Sequence, residues 1–329
     1  MSSFILSVRE LEEDQFATTI GKISYLIVPD DAKEPRPSHG INNVNIWLGK
    51  VSSYAYPNPY NQNTLPLDIV FFVHGYNTSP EEALVRQRLV EAELRLRGLQ
   101  CMVIGFDWPT GGKIMFYEYD RLQALEAATM LVKDGIIPFY RFTSQECRIN
   151  IHVIAHSMGA FVVREAFRAI DKARDTNRVI DWRIGQLVLF AADISSDCFE
   201  QDHADMVSVF NHCGRLTNYF SGYDKALAVA NIKNLDISSR AGRVGMPDNM
   251  PAHEKAVDVD CSQRYLAVPE TERENFRHID GMVSHSWYLE DPIWYDDLAY
   301  TLKGQIDRNL IPTRSIVSDN YFKLKEQPN

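Results

Sequence analysis

The chain has 329 residues, 45% hydrophobic and 24% charged, and its 44 acidic against 34 basic side chains give a formal net charge of −10. That apolar share supports a packed core over most of the length, and the negative surface repels phosphate backbones, so nucleic acid is not an expected partner. Five scattered cysteines (Cys101, Cys147, Cys198, Cys213, Cys261) show no metal or redox spacing, the start lacks a signal-peptide pattern and no run reaches roughly 18 apolar residues; the expectation is a soluble cytoplasmic protein with free thiols and no integral membrane segment.

In chain order, the apolar runs Phe4 to Val8 and Ile23 to Val28, the second closed by Pro29-Asp30-Asp31, predict an opening antiparallel hairpin. Residues 31 to 66, with five prolines, read as loop with a short strand around Val44 to Leu48. Residues 1–66 are thus expected to be strands and loop packed on a main domain of residues 67–329. From residue 68 apolar runs alternate with amphipathic stretches, the pattern of parallel strands joined by helices. Strands are predicted at 69–73, 101–106, 149–154, 187–191, 216–220 and 256–259. Helices are predicted at 80–97, 118–133, 158–173, 199–210 and 224–230. Ser79-Pro80-Glu81-Glu82 carries a capping serine, a first-turn proline and first-turn acids. Residues 231 to 254 read as loop, and the stretch beyond Pro312 as a helix or loose tail.

One predicted strand runs directly into Ala155-His156-Ser157-Met158-Gly159-Ala160 and then into a helix. A strand–nucleophile–helix turn of this kind needs small residues on both flanks, because it is tight enough to press them against neighbouring backbone, and its strain lifts the serine hydroxyl clear of the sheet. The following helix N-terminus favours developing negative charge. Upstream, Ile69 to Val73 empties into His74-Gly75-Tyr76-Asn77. The Tyr76 amide is expected to join that of Met158 in holding an oxyanion, with Gly75 allowing close approach and His74 bracing the loop.

The ordered strings VHGYN, GFDWPTGG, HVIAHSMGA, FAADIS, RLTNYFSGYDKAL and VSHSWY resemble an esterase/lipase-like family of bacterial α/β hydrolases catalogued as a domain of unknown function. The resemblance spans about residues 68 to 290. It implies the α/β-hydrolase fold, a mostly parallel central sheet of about eight strands with helices on both faces, and Ser157 as nucleophile.

A serine nucleophile needs a base, and the base an orienting acid, expected in the chain order Ser, Asp or Glu, His. Asp193 and Asp224 both follow predicted strands. Asp224 is preferred because it follows the next-to-last one, with Asp193 the alternative acid or a carboxylate supporting the loop. For the base, His285 and His278 both follow residues 256–259, and His285 is preferred for its place in VSHSWY. His152, His156, His203, His212 and His253 precede that strand and read as structural or surface residues; Asp107 reads as shaping the Trp108-Pro109 turn.

The reading is a serine hydrolase acting on a small acyl ester, requiring no cofactor and no metal. The same triad would serve an acyltransferase or thioesterase, and the fold alone would also suit a silent binding protein. Gly111-Gly112-Lys113 is no phosphate loop, since Asp107 and Ile114 stand where glycine and Ser or Thr are required. The aromatics Trp108, Phe116, Tyr117 and Tyr119 are candidates for pocket lining or core.

Overall fold

The computed structural model describes residues 2–56, 66–110, 117–143, 149–173, 182–200, 204–233, 239–247, 254–276 and 282–327, with side chains of a few of these at element ends left out. Its strands are β1 (Ser3–Glu12), β2 (Gln15–Val28), β3 (Asp68–Val73), β4 (Cys101–Asp107), β5 (Ile151–His156), β6 (Ile184–Phe190), β7 (Cys213–Phe220), β8 (Ala256–Asp260), β9 (Arg314–Ser318) and β10 (Tyr321–Leu324). The helices are α1 (Val44–Ala55), α2 (Pro80–Leu96), α3 (Tyr117–Met130), α4 (Ile137–Thr143), α5 (Met158–Ala173), α6 (Val207–His212), α7 (Lys225–Lys233), α8 (Ala241–Val244), α9 (Ser262–Ala267), α10 (Glu270–Arg273), α11 (Val283–Ser286) and α12 (Pro292–Lys303).

Ten strands form one sheet in the order β2-β1-β4-β3-β5-β6-β7-β8-β10-β9. The run from β1 to β10 is parallel, and β2 and β9 close the two edges as antiparallel hairpin partners. The expected mostly parallel architecture is therefore present, with ten strands in place of about eight. Both faces of the sheet are covered, which is why β3 reads as a continuous apolar run. Ile69, Phe71 and Val73 join the core beneath α1, α3 and α5, whereas Val70 and Phe72 join the core beneath α2 and α12. Among the described residues no helix is long and apolar enough to cross a membrane.

Four expectations about local structure are corrected. The stretch from Val44 to Leu48 is helical: Asn43 Oδ1 accepts from the amides of Asn45 and Ile46, and Trp47, Leu48, Val51 and Ala55 lie buried on one face. Helical spacing of large apolar residues outweighed the β-branched composition that suggested a strand. The predicted 199–210 helix is broken into short 3-10 turns before α6, and the 118–133 helix continues through a π-helical stretch, Leu131–Ile136, into α4. The chain beyond Pro312 is the β9–β10 hairpin, so β8 is not the last strand.

Mixed charge concealed that hairpin because one of its charges is buried. Arg314 donates from Nη2 to Asp297 Oδ1 at 2.6 Å and from Nε to Oδ2 at 2.9 Å. Tyr219 Oη and Thr313 Oγ1 also donate to that carboxylate, at 2.6 and 2.7 Å. The pair locks β9 to α12 and β7. Removing one partner of a buried ion pair strands the other charge. Arg314→Met is expected to lose about 3–5 kcal/mol of stability in urea unfolding, and adding Asp297→Asn to that variant is expected to restore part of it.

Candidate active site

β3 and β5 are hydrogen-bonded neighbours in register, with Val73 opposite Ala155, so the segments leaving their C-terminal ends must meet. Ser157 stands between β5 and α5 with φ of 54°, a left-handed conformation costly for a residue with a Cβ. Its amide donates to the Phe190 carbonyl at 3.1 Å, and its carbonyl accepts from the Asp193 amide at 3.0 Å. Crowding explains the small flanks. A Cβ on Gly159 would lie 2.5 Å from the Val73 carbonyl oxygen, and one on Gly75 would lie 2.8 Å from Ser157 Cβ. Met158 opens α5, so its amide lacks a carbonyl partner within the helix, and Tyr76 follows the glycine that touches Ser157.

Asp224 sits just before α7, where its Oδ1 accepts from the Leu227 amide at 2.9 Å. Its other oxygen lies 2.7 Å from His285 Nδ1. A carboxylate acceptor there places the proton on Nδ1 and leaves Nε2 as the basic nitrogen. Ser284 Oγ accepts from the Lys225 amide at 3.2 Å, tying α11 to α7. Burial opposes charging of His285, but Asp224, by charge and hydrogen bond, and Asp193 more weakly, outweigh it and raise the imidazole pKa. Among the described residues Ser157 Oγ makes no hydrogen bond to His285.

The sequence did not single out His156 as a neighbour of His285. Its ring is buried between Phe190 and His285, with centroids 4.6 and 4.8 Å away, and its Nε2 faces the His285 carbonyl oxygen at 3.4 Å. Burial and the adjacent His285 hold its pKa well below the ordinary value, so it is neutral. The two candidate acids part company here. Asp193 faces Arg240, with Nε 3.3 Å from Oδ1, and both are buried.

Asp107 lies at the heart of a larger network than a turn requires: Ser7 Oγ and Arg9 Nε each donate to it at 2.8 Å. Burial alone would raise its pKa, but the Arg9 guanidinium beside it outweighs that and brings it down to about 2. Trp108 is fully buried, its ring stacked on His74 and its indole N–H donating to the His74 carbonyl at 2.9 Å, so it is core and does not line a pocket. His152 accepts from the Gln186 amide, and His212 stacks on Trp182. His203, His253, His278, Cys147, the Gly111-Gly112-Lys113 turn and Phe116, and the side chains of Tyr117 and Tyr119, lie outside the described residues. The remaining four cysteines are free and buried.

The family model described as "Alpha/beta hydrolase of unknown function (DUF900)" matches residues 63–297. The chain belongs to this α/β-hydrolase family. An uncharacterized protein of Nostoc sp., alr1448, is 38% identical over 60 residues, which is 18% of this chain and 15% of that protein. Among solved structures, Aspergillus fumigatus lipase B covers 92% of this chain, which spans 66% of the lipase, at 10% identity and a TM-score of 0.39. The RedJ thioesterase of Streptomyces coelicolor covers 64% of this chain, which spans 84% of that enzyme, at 13% identity and a TM-score of 0.29.

In this α/β hydrolase the Asp224 carboxylate favours the charged imidazole. NMR titration of His285 is expected to give a midpoint above the ordinary 6.5, and Asp224→Asn is expected to move that midpoint down. An unchanged midpoint in the variant would mean the pair does not form in solution.

Proposed function

We propose that this chain is a serine hydrolase that cleaves carboxylic esters through an acyl-enzyme on Ser157. The observation that carries the reading is the Asp224–His285 hydrogen bond of 2.7 Å, its imidazole packed against His156, the residue before a serine held at positive φ between a strand and a helix. Ordinary packing rarely accepts such backbone strain, whereas a nucleophile turn requires it.

In the proposed reaction His285 Nε2 takes the Ser157 proton as Oγ attacks the ester carbonyl carbon. The carbonyl oxygen becomes an oxyanion held by the amides of Tyr76 and Met158. As the C–O bond to the alcohol breaks, His285 returns its proton to the departing oxygen. Water, deprotonated by the same nitrogen, then attacks the acyl-enzyme, and as the bond from the acyl carbon to Ser157 Oγ breaks His285 returns the proton to Oγ, releasing the acid. Asp224 keeps the proton on Nδ1 and stabilises the imidazolium formed in each half.

The test is hydrolysis of short and medium acyl p-nitrophenyl esters by the wild type and by Ser157→Ala, with fluorophosphonate labelling alongside. The variant is expected to lose labelling and about 10⁴-fold or more of kcat. A folded wild type that neither turns over these esters nor takes the label would overturn the reading. Because His285 must be neutral to act as base, kcat/KM should fall as pH drops through its raised pKa. The acid limb is therefore expected above pH 6.5, and a limb well below it would point to a different base.

A further inference from the structure

Arg9 belongs to β1, outside the residues 63–297 matched by the family model, yet its side chain is 1% exposed and reaches the turn that leaves β3. Its Nη2 donates to the Thr78 carbonyl at 2.9 Å, and its Nε donates to Asp107 Oδ1 at 2.8 Å. On the other side of the same carboxylate oxygen stands His74 Nε2, at 3.3 Å. That nitrogen accepts the Trp108 amide at 3.1 Å, while Nδ1 donates to the Gly75 carbonyl at 2.8 Å. Both contacts are satisfied together only by a neutral ring protonated on Nδ1. The Gly75 carbonyl also accepts from Thr78 Oγ1 at 3.1 Å, so the turn is tied at both ends.

We propose that Arg9 is a positioning residue for the oxyanion turn: it balances the Asp107 charge and grips Thr78, keeping His74 neutral and Gly75-Tyr76 seated against Ser157. The inference rests on the reading above, in which the Tyr76 amide holds the oxyanion. A buried carboxylate demands a positive partner. Without Arg9, the proton acceptor nearest Asp107 in this network is His74 Nε2, and protonation there would set two N–H donors, those of His74 and Trp108, against each other.

The other charged and titratable groups around His74 do not replace Arg9. Arg86 of α2 is engaged with Thr78 Oγ1 and lies 3.9 Å from Glu82, and His156 of β5 is neutral and packed on His285. In the wild type, burial lowers the His74 pKa and Arg9 lowers it further, against the pull of Asp107.

The experiment compares wild type, Arg9→Lys and Arg9→Met by ¹⁵N spectra of the histidine side chains, with His74 assigned from His74→Asn, and by ester kinetics. In the wild type His74 is expected as the neutral Nδ1–H form from pH 6 to 8. Arg9→Met is expected to show the doubly protonated ring over that range and to lose about 10²-fold in kcat with KM changed less than about twofold. Arg9→Lys, which keeps the charge, should keep His74 neutral and recover part of kcat. If Arg9→Met does not fold, Arg9→Met combined with Asp107→Asn removes both charges and should return a folded protein with neutral His74. A neutral His74 in Arg9→Met, or unchanged kcat, would overturn the proposal. A wild type without ester hydrolysis would sink the functional reading alone, since the histidine spectra still decide what Arg9 does to His74.

Discussion

The site depends on two parallel strands ending side by side. Because β3 and β5 pair in register at Val73 and Ala155, the turn after one and the Ser157 turn after the other are forced into contact. Glycine at 75 and 159 is the consequence. Each sits where a Cβ would collide with the opposing turn, at 2.8 Å and 2.5 Å, and neither collision could be relieved by rotating a side chain. The left-handed conformation of Ser157 is sustained by the same framework, since its amide and carbonyl are held by residues at and just beyond the end of β6.

Around that steric centre, four buried carboxylates each face a cation or an imidazole. Asp224 faces His285, Asp193 faces Arg240, Asp107 faces Arg9 and Asp297 faces Arg314. Burial makes any exchange of partners expensive, so the pairing sorts the acids into separate tasks despite their similar chemistry. Asp224 bonds to an imidazole that can gain and lose a proton. The other three face guanidiniums, which cannot deprotonate in a protein, and so are suited to holding backbone in place.

Much of the fold was legible from residues 68 to 260, because strands buried on both faces appear as short apolar runs and the helices between them carry caps such as Ser79. The ends were less legible. Trp47 and Val51 needed a helical period to be recognised over a stretch that composition alone suggested was a strand, and the β9–β10 hairpin was hidden because Arg314 looks like a surface charge until Asp297 is placed beside it. Within the site, Ser157, Gly159 and Gly75 carry local signatures, as turns do. His156 as the neighbour of His285 carries none, because that contact links residues 129 apart.

By itself the sequence determined the alternation of strand and helix, the strained serine turn and the order in which serine, acids and histidines follow one another. These are properties of short segments, dictated by periodicity, turn chemistry and chain order. Only the tertiary structure decided which acid meets His285, that the N-terminal strand reaches the turn after β3 through Arg9, and that β2 and β9 cap a ten-stranded sheet. Side-chain contacts between residues 61 or 98 apart arise when strands are laid side by side, and no local pattern encodes which carboxylate the folded chain will bring to which histidine or arginine.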